Sequence, residues 1–367
     1  MAAATVSELV IGRSLLSELG ARLRAAGLPG RAFLITDDRV YPQYGPVTEA
    51  GLRRGGYEVA TYQLPEGEAT KSLHFAHGLY DWLVDQRAER GDTIVALGGG
   101  VVGDTAGFVA ATYLRGLPLV QVPTTVLSQI DSSIGGKVAV NHPRGKNLIG
   151  AFYPARLIVG DVDTLRTLPR RLLADGWAEA IKCGLILDAE LVDLLDEHAS
   201  GLCDPASSEF SSQLLVDVVE RCARHKVWVV EQDEREANLR MILNYGHTIG
   251  HALEAALGYE VLLHGEAVSI GMSGAARLAV ARGLLAPAAA ERQDAVLARF
   301  GLPTHFPSEA RAPSVDLVLD RMAHDKKSQG ARLRWVLLDR LGHARIESGL
   351  PSQLIRETVA HLLGSEA

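Results

Sequence analysis

Cysteine is scarce in this sequence: the 367-residue chain has three, Cys183, Cys203 and Cys222, odd in number and with no C-x-x-C pair. That argues against a disulfide framework or a cysteine zinc site and fits reduced structural thiols in a cytoplasmic protein. Long apolar runs are missing too, none reaching the roughly 18 residues that a membrane helix needs. The first basic residue is Arg13, and acids stand on both sides of the first apolar stretch, so the N-terminus is not expected to be a secretory signal. An excess of positive charge is absent. The net charge of −7 argues against a surface-wide nucleic-acid footprint, while a local cationic pocket for a small acidic substrate remains open. There is no internal repeat and no low-complexity linker. What is present is a 47% hydrophobic composition in a chain longer than one core usually supports, which predicts two domains.

The first half alternates strand-like and helix-like segments. "RAFLITDD" (31–38), "YEVATYQL" (57–64), "DTIVALGGG" (92–100), "LPLVQVPTT" (117–125) and "ARLIVGDVD" (155–163) read as buried strands, and "SLHFAHGLYDWLVDQRAE" (72–89) as an amphipathic helix. Such alternation predicts a parallel sheet covered on both faces. After "LPRR" (168–171) the apolar spacing turns helical. "LLADGWAEAIKCGLILDAELVDLLDEH", "SQLLVDVVERCARHKVWVVEQD" and "GEAVSIGMSGAARLAVARGLL" all read as helices. The expected division is an α/β domain over 1–171 and a mostly helical one over 172–367.

Two stretches of the first half suggest oxyanion binding. "ALGGGVVGDTAGF" satisfies G-x-G-x-x-G at Gly98, Gly100 and Gly103 after a strand, where glycines let backbone approach a pyrophosphate at a helix N-terminus. The usual acid about 20 residues later, which would hold a ribose, is missing. The next acid after Asp104 is Asp131, and the strand is counted as about the third rather than the first. The expectation is a phosphate or dinucleotide loop in a non-standard α/β setting, against a glycine turn that serves only packing. "VPTTVLSQIDSSIGGKVAVNHPRGKNLIGAFYP" (122–154) reads as a long irregular polar segment. Lys137 follows Gly-Gly, and Lys146 with Asn147 follows Gly145. Lysines on glycine turns suit phosphates and carboxylates; a solvated surface loop is the alternative.

The second half raises a metal question. Residues 243–268 hold three of twelve histidines, His247, His251 and His264. Helical spacing places His247 and His251 on one face. The glutamate of an H-E-x-x-H protease is absent, Thr248, Ile249 and Gly250 lying between the two. Upstream, Glu179 and Lys182 sit one turn apart, either a metal ligand beside a substrate-binding cation or an exposed ion pair. Spacing does not decide whether His251 is a ligand or a base.

In order, "GGGVVGD", "PTT", "DSSIGGK", "GKNLIGAF", "AEAIKCG", "LNYGHTIGHALE", "LHGEAV" and "DKK" resemble the 3-dehydroquinate synthase family of sugar-phosphate cyclases over nearly the whole chain. The resemblance implies a Rossmann-like NAD-binding α/β domain with a parallel sheet, then a mostly α-helical metal-binding domain, with the active site between them. It implies conversion of 3-deoxy-D-arabino-heptulosonate 7-phosphate to 3-dehydroquinate and phosphate, the step of a lyase in the shikimate pathway. By carry-over Glu179, His247 and His264 bind a divalent metal, zinc or cobalt, and His251 becomes a proton-transfer residue. For NAD it implies Asp37, Glu66, Gly67, Glu68, Lys71, Gly100, Val101, Val102, Gly103, Asp104, Thr124 and Thr125, with Lys137, Lys146 and the stretch Thr164, Leu165, Arg166 and Thr167. Arg39 stands where the family often has Asn. For substrate it implies Asp131, Lys137, Lys146, Asn147, Lys182, Lys226, Arg240, Asn244 and Lys326, with Lys137, Asn147, Lys182, Arg240 and His251 nearest the chemistry. Arg115 corresponds to a residue that reaches a neighbouring subunit's phosphate site, implying a homodimer, with neither nucleic acid nor membrane as partner. Trp177 replaces a smaller aliphatic and reads as packing. The alternatives are another sugar-phosphate cyclase of secondary metabolism, a metal-dependent polyol dehydrogenase, or a regulatory protein that kept the fold.

Overall fold

The computed structural model describes residues 7–234, 238–327 and 334–365, the side chains of 324–327 excepted. The chain forms two compact units, one of residues 1–168 with 213–234 and one of 169–212 with 235–367.

The first unit is built on a six-stranded sheet. Its strands are β1 (Glu8–Gly12), β2 (Ala32–Asp37), β3 (Val59–Leu64), β4 (Thr93–Gly98), β5 (Leu119–Pro123) and, after a hairpin of β6 (Lys137–His142) and β7 (Gly145–Phe152), β8 (Leu157–Asp161). The order is β1-β8-β5-β4-β2-β3, and every pair in it is parallel. The inner strands β2, β4, β5 and β8 are buried almost throughout, while edge strands β1 and β3 are partly exposed. That is what a sheet covered on both faces requires. Alternate residues feed two cores. Phe33, Ile35, Ile94, Ala96 and Leu119 join one cluster; Ala32, Leu34, Val95, Leu97, Val120 and Val122 join the other. Helices α1 (Leu19–Ala25) and α2 (Tyr41–Arg54) supply Leu19, Leu23 and Leu52 to the second face. Helices α3 (Leu73–Asp85) and α4 (Gly100–Thr112) supply Leu79, Leu83 and Val109 to the first.

Three features depart from the sequence reading. Strand β1 was not foreseen, so the glycine loop follows the fourth strand rather than the third. The polar stretch 122–154 is no irregular loop: it holds a short π-helical turn, Ser128–Ser132, and the antiparallel β6–β7 hairpin. The run 172–198 is two helices, α5 (Arg170–Leu187) and α6 (Ala189–Leu202), parted by Asp188, whose side chain accepts from Leu191 N–H. Helix α7 (Gln213–Gln232), amphipathic as its spacing predicts, packs with the sheet unit and places Ala223 in its core.

The second unit holds α5, α6, α8 (His247–Ala256), α9 (His264–Ala281), α10 (Pro287–Arg299), α11 (Val315–Lys327) and α12 (Ser352–Leu362), with an antiparallel hairpin of β9 (Arg334–Arg340) and β10 (His343–Ser348). Glycines set its tightest crossing. A Cβ on Gly271 of α9 would lie 1.9 Å from the Gly246 carbonyl oxygen, and one on Gly250 of α8 3.0 Å from that of Ala267. Only glycine permits such approach, and Gly246, at φ 80°, also needs the left-handed region. Trp177 is fully buried, donates to the Leu202 carbonyl at 3.1 Å and stacks near Phe300, a packing role. No helix among the described residues is long and apolar enough to cross a membrane.

Candidate active site

In a parallel sheet all strand C-termini leave one edge, and the residues assigned to the dinucleotide follow those ends. Asp37 ends β2; Glu66, Gly67, Glu68 and Lys71 follow β3; Gly100–Asp104 follow β4; Thr124 and Thr125 follow β5; Thr164–Thr167 follow β8. The glycines have separate duties. Gly98 ends the strand and Gly100 opens α4. A Cβ on Gly103 would stand 2.8 Å from Gln121 Oε1 on β5, so this glycine brings the helix onto the sheet. Thr124 N–H is tied to the Gly98 carbonyl at 3.0 Å.

An acid does stand upstream of the glycine loop, at the end of β2. Strand β2 lies beside β4, with Ala32 opposite Thr93 and Ile35 opposite Ala96. Continuing that register sets Asp37 level with Gly98. One Asp37 oxygen accepts from Val40 N–H at 2.7 Å and Arg39 N–H at 3.1 Å. Burial raises its pKa, and the two amides work against that rise. Arg39 pairs with Glu66 at 3.0 Å. Lys71 meets Asp104 at 2.5 Å, and burial raises Asp104 against the pull of that ammonium.

The same unit gathers several residues assigned to substrate. Helix α7 brings Lys226 into an ion pair with Asp131 on the π-helical turn. Lys137 opens β6, and Lys146 and Asn147 lie on β7. Asn141, which drew no attention in the sequence, donates to Glu68 Oε1 at 2.7 Å, accepts from Asn147 N–H at 2.9 Å, and donates its backbone N–H to Lys71 O at 2.8 Å. It ties the β3 loop to the hairpin.

The helical unit assembles the metal candidates. Glu179 and Lys182 form a buried ion pair, their side chains 2% and 4% exposed, rather than the exposed pair that spacing alone allowed. His247 Nε2 and His264 Nε2 each lie 3.6 Å from Glu179 Oε1. Tetrahedral zinc with bonds of about 2.1 Å sets its donors about 3.4 Å apart. The donor atoms of Glu179, His247 and His264 lie within 4.8 Å of one another, and both Glu179 oxygens are shielded from solvent. Two imidazoles and one carboxylate at this spacing fit a divalent cation. The other ring nitrogens are already engaged: His247 Nδ1 with Tyr245 O at 3.1 Å, His264 Nδ1 with Glu254 Oε2 at 3.4 Å. Such partners orient a ligating imidazole and leave its Nε2 for the metal.

His251, Glu254 and His264 form a second set within the same limit. His264 is common to both sets, and its Nδ1 already faces Glu254 Oε2 at 3.4 Å. His251 stays close, its ring centroid 5.0 Å from that of His247 and 5.9 Å from that of His264. Burial opposes ionisation of Glu179, but Lys182 and His264 overcome it and hold the carboxyl well below its usual range. Burial, then Lys182, holds His247 neutral. Burial also works against charge on His264, yet Glu179 and Glu254 push it up to about 10, so a cation bound there would displace a proton.

Arg240 is buried on the turn Leu239–Asn244, which ends in Asn244. Lys326 lies outside the described side chains. Glu254 is the residue that sequence reasoning missed in this unit; its signal was there, since 247, 251 and 254 follow i, i+4, i+7 along one helical face.

Residues 61–175 match the family description "3-dehydroquinate synthase N-terminal" and residues 176–328 "3-dehydroquinate synthase C-terminal". A 3-dehydroquinate synthase from Desulforamulus reducens is 46% identical over 338 residues, 92% of each chain. One from Nostoc punctiforme is 43% identical over 96% of this chain and 95% of its own. Among solved structures, 2-epi-5-epi-valiolone synthase from Streptomyces hygroscopicus, with NAD+ and Zn2+ bound, superposes with a TM-score of 0.87 at 29% identity, covering 97% of this chain and 96% of that one. A 2-deoxy-scyllo-inosose synthase with carbaglucose-6-phosphate, NAD+ and Co2+ gives 0.84 at 27%, with the same coverage.

Proposed function

The chain belongs to the 3-dehydroquinate synthase family, and from that premise we propose that it converts 3-deoxy-D-arabino-heptulosonate 7-phosphate to 3-dehydroquinate and inorganic phosphate. The observation that carries this reading is the convergence of Glu179, His247 and His264 beside the buried Lys182, in a chain 46% identical to a protein named for that activity. The cyclases that make other products are 29% and 27% identical.

The family's reaction oxidises a secondary alcohol, eliminates phosphate, reduces the ketone and closes the ring by an aldol step. A divalent cation, zinc or cobalt, would supply Lewis acidity toward the alcohol and ketone oxygens, and NAD a hydride acceptor that is regenerated each turnover. Glu179, His247 and His264 hold the cation. Asp37, Glu66–Lys71, Gly100–Asp104, Thr124, Thr125 and Thr164–Thr167 hold the dinucleotide, the Gly100 N-terminus of α4 facing its phosphates. Lys182, Arg240 and Asn244 bind substrate oxygens, and His251 moves a proton near them. Lys137, Lys146, Asn147 and the Asp131–Lys226 pair bind substrate, and their ammonium groups stabilise charge on the departing phosphate. Lys326 joins the substrate set by resemblance.

We propose further that the protein is a cytoplasmic homodimer, and Arg115 bears on the dimer. It and Leu114 have φ of 69° and 49°, and left-handed non-glycine residues cost of order 1–3 kcal/mol each and cluster at functional loops. Such a loop suits an arginine presented to a partner's phosphate site.

The test is phosphate release from the heptulosonate phosphate with NAD and Zn²⁺ or Co²⁺, with and without chelator. Expected are chelator-sensitive release and no net absorbance of NADH at 340 nm. No release with any metal sinks the assignment, and stoichiometric NADH points to a dehydrogenase.

A further inference from the structure

Helix α5 carries Arg171, Asp175 and Glu179 at four-residue spacing, which puts them on one face. They meet three consecutive residues at the start of α9 in reverse order. Arg171 Nε and Nη2 donate to Glu266 Oε1 and Oε2 at 2.6 and 2.8 Å. Asp175 Oδ1 accepts from Gly265 N–H at 2.5 Å. Glu179 Oε1 faces His264 Nε2 at 3.6 Å. The outer contact is at the surface, while Asp175 and Glu179 are buried.

The first N–H groups of a helix have no partner inside it and carry partial positive charge, so a carboxylate there both satisfies and anchors them. At α9 the Leu263 N–H is taken by Glu266 within the helix's own first turn. The Gly265 N–H is taken by a side chain from another helix, the one that carries Glu179. The contact is also specific to glycine: a Cβ at 265 would lie 2.1 Å from the Asp175 carbonyl oxygen. Backbone and side chain of Asp175 thus both bear on the residue next to His264.

We infer that Asp175 is a positioning residue for the metal: by holding the Gly265 N–H it fixes the register of α9 on α5 and sets the His264 imidazole opposite Glu179. The inference rests on the reading that Glu179, His247 and His264 hold the cation. Asp175 itself donates nothing to it.

The measurement is the dissociation constant for Zn²⁺ of the purified full chain, by competition with a chromogenic chelator, beside the thermal midpoint of the metal-free protein. D175A removes the acceptor, D175V removes it while filling its volume, and D175N keeps an acceptor oxygen without the charge. Removing outer partners of metal ligands typically weakens binding about 10–100-fold. That loss is expected of D175A and D175V, with D175N within about three-fold of wild type. H264A, as reference, should lose the metal. Wild-type affinity in D175A or D175V, with H264A metal-free, overturns the inference and leaves the metal assignment standing. Metal retention by H264A overturns the assignment itself. If neither D175A nor D175V folds while D175N does, or if the midpoint falls while affinity is kept, Asp175 is structural only and the inference fails.

Discussion

The two units build their sites by opposite means. In the sheet unit the proposed cofactor residues follow β2, β3, β4, β5 and β8, and the contacts available there are backbone amides and short side chains shared among five segments. In the helical unit the proposed metal binding depends on three atoms, contributed by α5, α8 and α9, within 4.8 Å of one another. A distributed site degrades by degrees when one member is lost. A three-donor metal site fails as a whole, because the remaining two ligands rarely hold a divalent ion.

The sharpest way to break that contrast lies in α8. His247→Ala should abolish binding of Zn²⁺ or Co²⁺, read as metal content after dialysis, while His251→Ala keeps the metal and loses turnover. Equal metal loss in both variants would refute the division of roles between them. In the sheet unit the largest single effect expected is on stability. Lys71→Met leaves the part-buried Asp104 without its partner, and breaking a buried pair from one side costs at most about 4 kcal/mol. Urea denaturation of K71M should register it, and K71M/D104N should recover most of it; an additive double variant would show that the pair is not coupled.

The smallest effect expected concerns pH. Burial lifts Asp175 from 3.8 to about 6, its hydrogen bond from Gly265 notwithstanding. Below about pH 4 the group is neutral in both folded and unfolded chains. As pH rises toward 6 the unfolded chain ionises first, so stability falls across that window, by as much as about 3 kcal/mol. Asp175→Asn should remove this slope from the denaturation free energy of the metal-free protein. An unchanged slope would mean that Asp175 is ionised in the fold.

Much of the fold was legible because its signals are local. Strands β2, β4, β5 and β8 are buried on both faces and read as continuous apolar runs; α3 and α7 show the helical period. Strand β1, at the sheet edge with its first residue exposed, gives no such run. The β6–β7 hairpin was taken for a loop because glycines and polar residues dominate its ends. The glycine motif is plain in the sequence, but no acid stands about 20 residues downstream of it along the chain. The sheet places β2 next to β4, which brings Asp37, named for the dinucleotide only through the family resemblance, beside the glycine loop. Strand order is not written in a strand's own residues.

The candidate metal site divides in the same way. Composition and spacing alone determined that two histidines share a helical face and that Glu179 and Lys182 are one turn apart. Ordered motifs determined the family and, through it, the proposed ligands. Only the tertiary structure decided that the Glu179–Lys182 pair is buried, that Glu254 stands behind His264, and that Asp175 caps α9. Helical periodicity tells which residues share a face but not what that face meets. That depends on how closely two helices approach, which glycines at 246, 250, 265 and 271 permit and the packing of α5, α8 and α9 sets.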